Sequence, residues 1–222
     1  MLHRTTPRLR GNVSGRTGEI AAVAVTAAGK FVFGDWLDMH LEYLIVAVAV
    51  WTMYVVTRRR TNPSVLRRWG FTTEGLAEAG VLSGLALVAG GGFCVVYAVV
   101  TRTGIVSWNL MLLLALYPIW GLVQQFLLVA LVADNVMALS RERSQEFAVV
   151  MFTALLFSAI HFPEVPLMIA TFFLGSATTL IFFRTRNIWM PGLLHGWFAT
   201  LFYFLVMEVD PLEPLLAVAF GW

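Results

Sequence analysis

The sequence predicts an all-α, polytopic membrane bundle with about six spans, within a range of six to eight, and three observations predict it. Of 222 residues, 59% are hydrophobic and 13% charged, whereas soluble domains run at roughly 45–50% and 25%. The apolar residues fall in repeated runs near the roughly 20 residues needed to cross a bilayer. The loops between the runs alternate between arginine-rich and arginine-poor, which is the charge pattern of membrane topology.

Taken in order, residues 1–19 are polar and carry Arg4, Arg8, Arg10 and Arg16, and the apolar stretch 20–29 ends at Lys30. No small-residue cleavage site follows it, so a cleaved signal peptide is not expected. The reading for 1–35 is a basic amino-terminal tail, disordered or interfacial. Spans are expected near 36–56, 76–100, 110–133, 147–161, 165–183 and 188–207. Residues 36–109 then hold accessory membrane helices, 110–207 the core helices, and 208–222 a short carboxy-terminal segment whose apolar run, 215–222, is too short to cross.

Fourteen of the fifteen basic residues are arginine. Arg58, Arg59, Arg60, Arg67 and Arg68 follow the first expected span, Arg141 and Arg143 the third, and Arg184 and Arg186 the fifth. The opposite loops hold Arg102 with Glu164, Glu208, Asp210 and Glu213. The positive-inside rule makes the arginine loops cytoplasmic, and six spans place the amino terminus outside. Insertion of residues 19–34 as well would make seven spans and move that terminus inside, with its arginines. The expected location is integral to a membrane, a prokaryotic cell membrane. The lipid bilayer is one partner, and nucleic acid is not, because loop arginines beside apolar spans account for the basic balance. The single cysteine, Cys94, can form no intrachain disulfide and reads as a small buried apolar residue. The sequence carries no internal repeat of the transporter kind and no glycine-rich nucleotide turn.

Polar groups deep in spans are costly and mark candidate function. They are Gln124 and Gln125 in the third span, His161 closing the fourth, and His195 in the sixth; each can also serve as interhelical hydrogen-bonding glue. Asp38, His40 and Glu42 crowd the start of the first span and read as interfacial anchors. Asp134, Glu142 and Glu146 read as a solvated charge cluster with Arg141 and Arg143. Straight helices place His161 near the outer end of its span and His195 about 10 Å from the inner end of its own. Tilt or kinking, with Pro118 and Pro163 available, would have to bring them together.

Over residues 118–203 these features resemble the CPBP family, the CAAX-protease and bacteriocin-processing (Abi-like) intramembrane proteases. That family carries Glu-Glu-x-x-x-Arg, then Phe-x-x-x-His, then His-x-x-x-Asn on successive core helices. Here the second motif stands as Phe157 to His161 in FSAIH, and His195 in PGLLHGWFA matches the third. The turn Trp69, Gly70, Phe71, the glycine Gly175 and the run RTRNIW before the last histidine helix are similar too. The first motif departs: Gln124 and Gln125 replace both glutamates, Val129 replaces the arginine, and Ala199 stands for the third motif's asparagine.

The resemblance implies hydrolysis of prenylated or membrane-tethered peptides, with a glutamate and the second-motif histidine activating water and the third-motif histidine and asparagine stabilising the oxyanion. Glutamine keeps the shape of glutamate and can orient water, but it cannot take its proton. A neutral His161 can. The site expected is Gln124, Gln125, His161 and His195, acting on a peptide or membrane-protein substrate. If the lost carboxylates end catalysis, the same cavity holds a client as a pseudoprotease; a small transporter or assembly factor is the third reading. No cofactor is expected; His161, His195 and Glu164 have the ligand types of a zinc site and are the metal candidates.

Overall fold

The computed structural model describes residues 13–140 and 142–213 and is helical nearly throughout. Arg4, Arg8, Arg10, Arg141 and the run 215–222 lie outside the described residues. The elements are α1 (Val13–Gly29, continued as a π-helix over Lys30–Trp36), α2 (His40–Thr61), α3 (Val65–Arg68), α4 (Leu76–Thr101), α5 (Trp108–Gln125, continued as a π-helix over Phe126–Ala133), α6 (Asp134–Leu139), α7 (Glu146–Ala159), α8 (Val165–Thr185) and α9 (Trp189–Phe202, with a π-helical end, Tyr203–Met207). Among the described residues six helical stretches are long and apolar enough to cross a membrane: Val13–Trp36, His40–Thr61, Leu76–Thr101, Trp108–Leu139, Val165–Thr185 and Trp189–Met207. The chain is an integral membrane protein.

α7 matches the expected 147–161 to within two residues, and at 14 residues it covers about 21 Å at 1.5 Å per residue against a hydrocarbon core of about 30 Å, so it is not among the six. At the other extreme, Val13–Trp36 is one continuous helix where a tail or interfacial segment was expected. Its charges are what lowered its hydropathy; Lys30 and Asp35 pair with each other at 2.8 Å, and Arg16 and Glu19 are neutralised by tertiary partners. Arg16 donates to the Asn135 Oδ1 at 2.9 Å and stands 3.6 Å from the Asp134 carboxylate. Glu19 accepts from Arg68 at 2.7 Å, from the Tyr54 hydroxyl at 2.6 Å and from Asn135 at 2.6 Å. Arg186 completes the cluster at 2.7 Å from Asp134. A carboxylate left alone in the bilayer would cost several kcal/mol; one that is hydrogen-bonded on every side does not carry that penalty.

Asp134 is therefore not part of a solvated cluster. It is buried, and its ion-pair partners are Arg16 and Arg186. The helix of α5 and α6 runs six residues past the expected end at 133 because Asp134 and Asn135 find these partners inside the bundle. Asp38 lies in the α1–α2 turn and His40 opens α2, 3.4 Å from Asp35 and 3.5 Å from Asp38. Cys94 is fully buried, as expected.

The same end of the bundle is closed by the Trp69–Phe71 turn. Gly70 sits at φ +85°, where a side chain would collide with the Phe182 ring at 2.7 Å, and its carbonyl accepts from the Ile188 N–H at 3.1 Å. Trp69 packs edge-on to Phe126 at 5.1 Å between ring centres. Asn187 ties the turn down by donating to the Thr72 carbonyl at 2.7 Å.

Candidate functional site

α5 and α9 approach more closely than side chains permit. A methyl group on Gly121 would stand 2.5 Å from the Gly192 carbonyl oxygen and 2.7 Å from the Gly196 nitrogen, and one on Gly196 would meet the backbone of Pro118. Gly192 and Gly196 form a G-x-x-x-G stripe, the small-residue spacing that lets membrane helices touch backbone to backbone. Pro118 contributes as well. It has no N–H to give the Leu114 carbonyl one turn earlier, and that freed carbonyl accepts the Trp197 indole N–H of α9 at 3.0 Å.

This approach places Gln125 against His195. Gln125 is fully buried, and its Nε2 lies 3.1 Å from the His195 Nδ1. With the amide in this orientation its N–H donates, which makes Nδ1 the acceptor and assigns the ring proton to Nε2. The Gln125 Oε1 is buried without a hydrogen-bond partner among the described residues.

His161 lies in the turn after α7. Its Nδ1 is 2.7 Å from the Phe157 carbonyl oxygen, which can only accept. The proton is therefore on Nδ1, and Nε2 carries a free lone pair. Phe157 joins the two histidines: its ring meets His161 edge-on at 5.0 Å and His195 at 5.3 Å between centres. Gly175 of α8 makes room for that ring, since a methyl there would already stand 3.2 Å from Phe157 Cδ1. The height difference expected from straight helices is bridged by Phe157, one turn below His161 and level enough with His195 to touch it.

A cavity of about 60 Å³ lies between these groups, lined by Gln124, His161, His195, Tyr117, Thr171 and Ala199 among others. That is room for a few waters. The two glutamines divide their work: Gln124 faces the cavity, whereas Gln125 turns to His195. Val129, at the position of the family's arginine, is fully buried in an apolar cluster with Phe157, Leu174 and Leu194. Ala199, at the position of the asparagine, presents only a methyl to the cavity. Glu164 is exposed, and among the described residues no three His, Cys, Asp or Glu side chains gather as metal ligands. Tyr117, Tyr203 and Thr171 line the cavity and were missed in the sequence. Their hydroxyls are mid-span polar groups like the glutamines, and a search for all polar side chains would have found them.

The all-α bundle thus holds two histidines and a glutamine around one small cavity. Residues 106–201, from the loop before α5 to the last turn of α9, match the family model for type II CAAX prenyl endopeptidase, Rce1-like. The similarity to the CPBP proteases thus stands over the segment that carries the motifs. No match was found among curated proteins or among solved structures.

Proposed function

We propose that the protein is an intramembrane endopeptidase of the CAAX-protease kind, cutting prenylated or membrane-tethered peptides, in which histidine has taken over from glutamate as the base. The observation that carries this reading is that two histidines share one cavity with their Nδ1 atoms held by opposite partners, the Gln125 amide nitrogen and the Phe157 carbonyl oxygen. His161 offers a lone pair at Nε2; His195 offers a proton at Nε2. Water held by the Gln124 amide gives its proton to His161 Nε2 as its oxygen bonds to the substrate carbonyl carbon. The carbonyl oxygen, gaining negative charge, accepts a hydrogen bond from His195. The carbon–nitrogen bond then breaks, and His161 returns the proton to the leaving amine. A preorganised donor is worth more in a water-poor site than in bulk, and a positioned base contributes roughly 10²–10⁴-fold. Gln125 is a positioning residue: it fixes the tautomer of His195 and does not touch the reacting atoms. The protein lies in the membrane with its arginine loops in the cytoplasm, and α1, as a further crossing, brings Arg16 to the same side.

A second reading, binding without cutting, is favoured by the neutral glutamine pair and by Ala199, which offers the cavity no hydrogen-bond donor. The deciding experiment compares the purified protein in lipid with His161→Ala and Gln124→Glu/Gln125→Glu on a panel of prenylated and transmembrane peptides. Turnover by the native protein that falls by about 10²–10⁴-fold in His161→Ala supports histidine as base. No turnover on a panel that a related active protease cuts, with peptide binding retained, supports the binding-only reading.

A further inference from the structure

We propose that the arginine end of the bundle binds the phosphate of an anionic phospholipid, clasped by Arg58 in the last turn of α2 and Arg68 at the end of α3, beside Tyr54 and Trp69. None of these residues lines the histidine cavity, and the proposal does not depend on hydrolysis.

Charge does not balance at this end. Glu19 and Asp134 are the carboxylates of the buried cluster, and Arg16, Arg68 and Arg186 already surround them. Arg58 adds a fourth cation. It follows Tyr54 by one helical turn on the same face of α2, and both it and Arg68 act electrostatically on the Tyr54 hydroxyl. The carboxylates of Glu74 and Glu78 are taken by Arg67 and Arg184. Among the described residues, four guanidinium groups thus share two carboxylates. Arg16, Glu19 and Asp134 are each at most 9% exposed, so the excess positive charge is only partly solvated and favours an added anion.

Unpaired donors gather at the same place. Arg68 gives one terminal nitrogen to both Glu19 oxygens, at 2.7 and 2.9 Å, and its Nε is buried without a hydrogen-bond partner among the described residues. The Nε of Arg58 and the indole Nε1 of Trp69 are in the same state. Tyr54 makes the three neighbours: its ring centre is 5.9 Å from that of Trp69, and its hydroxyl shares Glu19 with Arg68. The Arg68 guanidinium lies 5.7 Å from the Trp69 ring centre. Buried polar groups are nearly always hydrogen-bonded, so a group of unpaired donors points to a ligand that accepts. A guanidinium offers its Nε–H and a terminal N–H as a fork that matches two phosphate oxygens.

Depth and apolar surface name the carrier. Arg58 stands where the α2 span ends, at Thr61, which is the level of lipid headgroups. The flank of α2 leading to it is open to lipid, with Ile45, Val48, Met53 and Val56 each 40–67% exposed. A soluble phosphate would meet the arginines and leave that wall bare, whereas a phospholipid covers both. A headgroup with net negative charge also answers the excess of cations, which a zwitterionic one does not.

The test uses the purified full chain in nanodiscs of phosphatidylcholine alone, of phosphatidylcholine with phosphatidylglycerol, and of phosphatidylcholine with inorganic phosphate in the buffer. Thermal unfolding reads the ligand as a rise in unfolding temperature, and native mass spectrometry reads which lipid stays bound. Phosphatidylglycerol is expected to raise the unfolding temperature and to be held about tenfold more tightly than phosphatidylcholine, the size of one charge-assisted contact. Arg58→Gln should lose that preference while unfolding at the native temperature in phosphatidylcholine alone. Arg60→Gln, which removes the same charge from an exposed position on the same turn, should keep it. Arg58→Lys keeps the charge without the fork: weaker retention than native supports the site even where Arg58→Gln fails to fold, and native retention overturns it. Equal retention of the two lipids, or equal losses in Arg58→Gln and Arg60→Gln, would mean diffuse attraction to a basic surface and overturns the site. Equal stabilisation by inorganic phosphate overturns the lipid as its source.

Discussion

Gly121→Ala adds one methyl group at the point where α5 and α9 are closest, and its effect can be worked from the contacts. The new carbon would sit 2.5 Å from the Gly192 oxygen, where ordinary contact begins at 3.4 Å. Both obstacles are backbone, so no side-chain rotation relieves them, and the helices must separate by about 1 Å at this level. The Gln125–His195 hydrogen bond at 3.1 Å then stretches to about 4 Å, beyond hydrogen-bonding reach. Overpacking costs about 1–3 kcal/mol, and the lost interhelical bond adds about 0.6–2 kcal/mol. On the proposed mechanism, a displacement of that size at His195 is expected to lower turnover by about 10²-fold. Thermal unfolding in lipid and the ¹⁵N resonances of the His195 ring measure the two parts separately. Gly175→Ala is the internal scale, because its methyl would stand 3.2 Å from Phe157 Cδ1 and 3.3 Å from the Ala154 Cα, a misfit of a few tenths of an ångström, and a smaller loss is expected. Native stability and unshifted His195 resonances in Gly121→Ala would refute the argument that this contact sets the site.

Two further outcomes are expected. Trp197→Phe keeps the aromatic bulk but leaves the Leu114 carbonyl without its donor; unfolding in lipid should show a loss of about 0.6–2 kcal/mol, and no loss would mean that the proline-freed carbonyl needs no partner. Glu19→Ala removes the carboxylate that Arg68, Tyr54 and Asn135 all address. Breaking a buried pair on one side costs about 3–5 kcal/mol, so the variant should melt earlier and be nicked by protease in the turn between α1 and α2; unchanged resistance would show that α1 docks by its apolar face alone.

Hydropathy was enough to find the helices from 40 onward, since their average composition and their solvent are what place them. It failed at α1, because Arg16 and Glu19 are acceptable in a membrane only through Asp134, Asn135 and Arg68, residues 49 to 119 positions away. The same long range hid the true partners of Asp134. The histidine motifs could be read as a pattern, and the stripe of Gly192 and Gly196 could have been; it was overlooked although its spacing is visible in the sequence. Adjacent glutamines were beyond reach for a different reason. Neighbours on a helix point about 100° apart, so one of the pair had to face away from the cavity, but which one depends on where α9 lies. The Leu114–Trp197 contact was half legible: Pro118 announces an unclaimed carbonyl, and nothing local names its claimant.

The ionic clasp on α1 also orders events during synthesis. Arg16 and Glu19 leave the ribosome before any of the groups that neutralise them, and Arg186 follows only after most of the chain has been made. Glu19 has no ionic partner until Arg68 emerges and Arg16 has none until Asp134 and Asn135 do, so α1 has reason to wait at the lipid headgroups, moving inward after α5 and α6 are in place. The earliest of the described helices to be translated is thus among the last to settle, and insertion of this protein is a closing movement that proceeds from the middle of the chain toward its beginning.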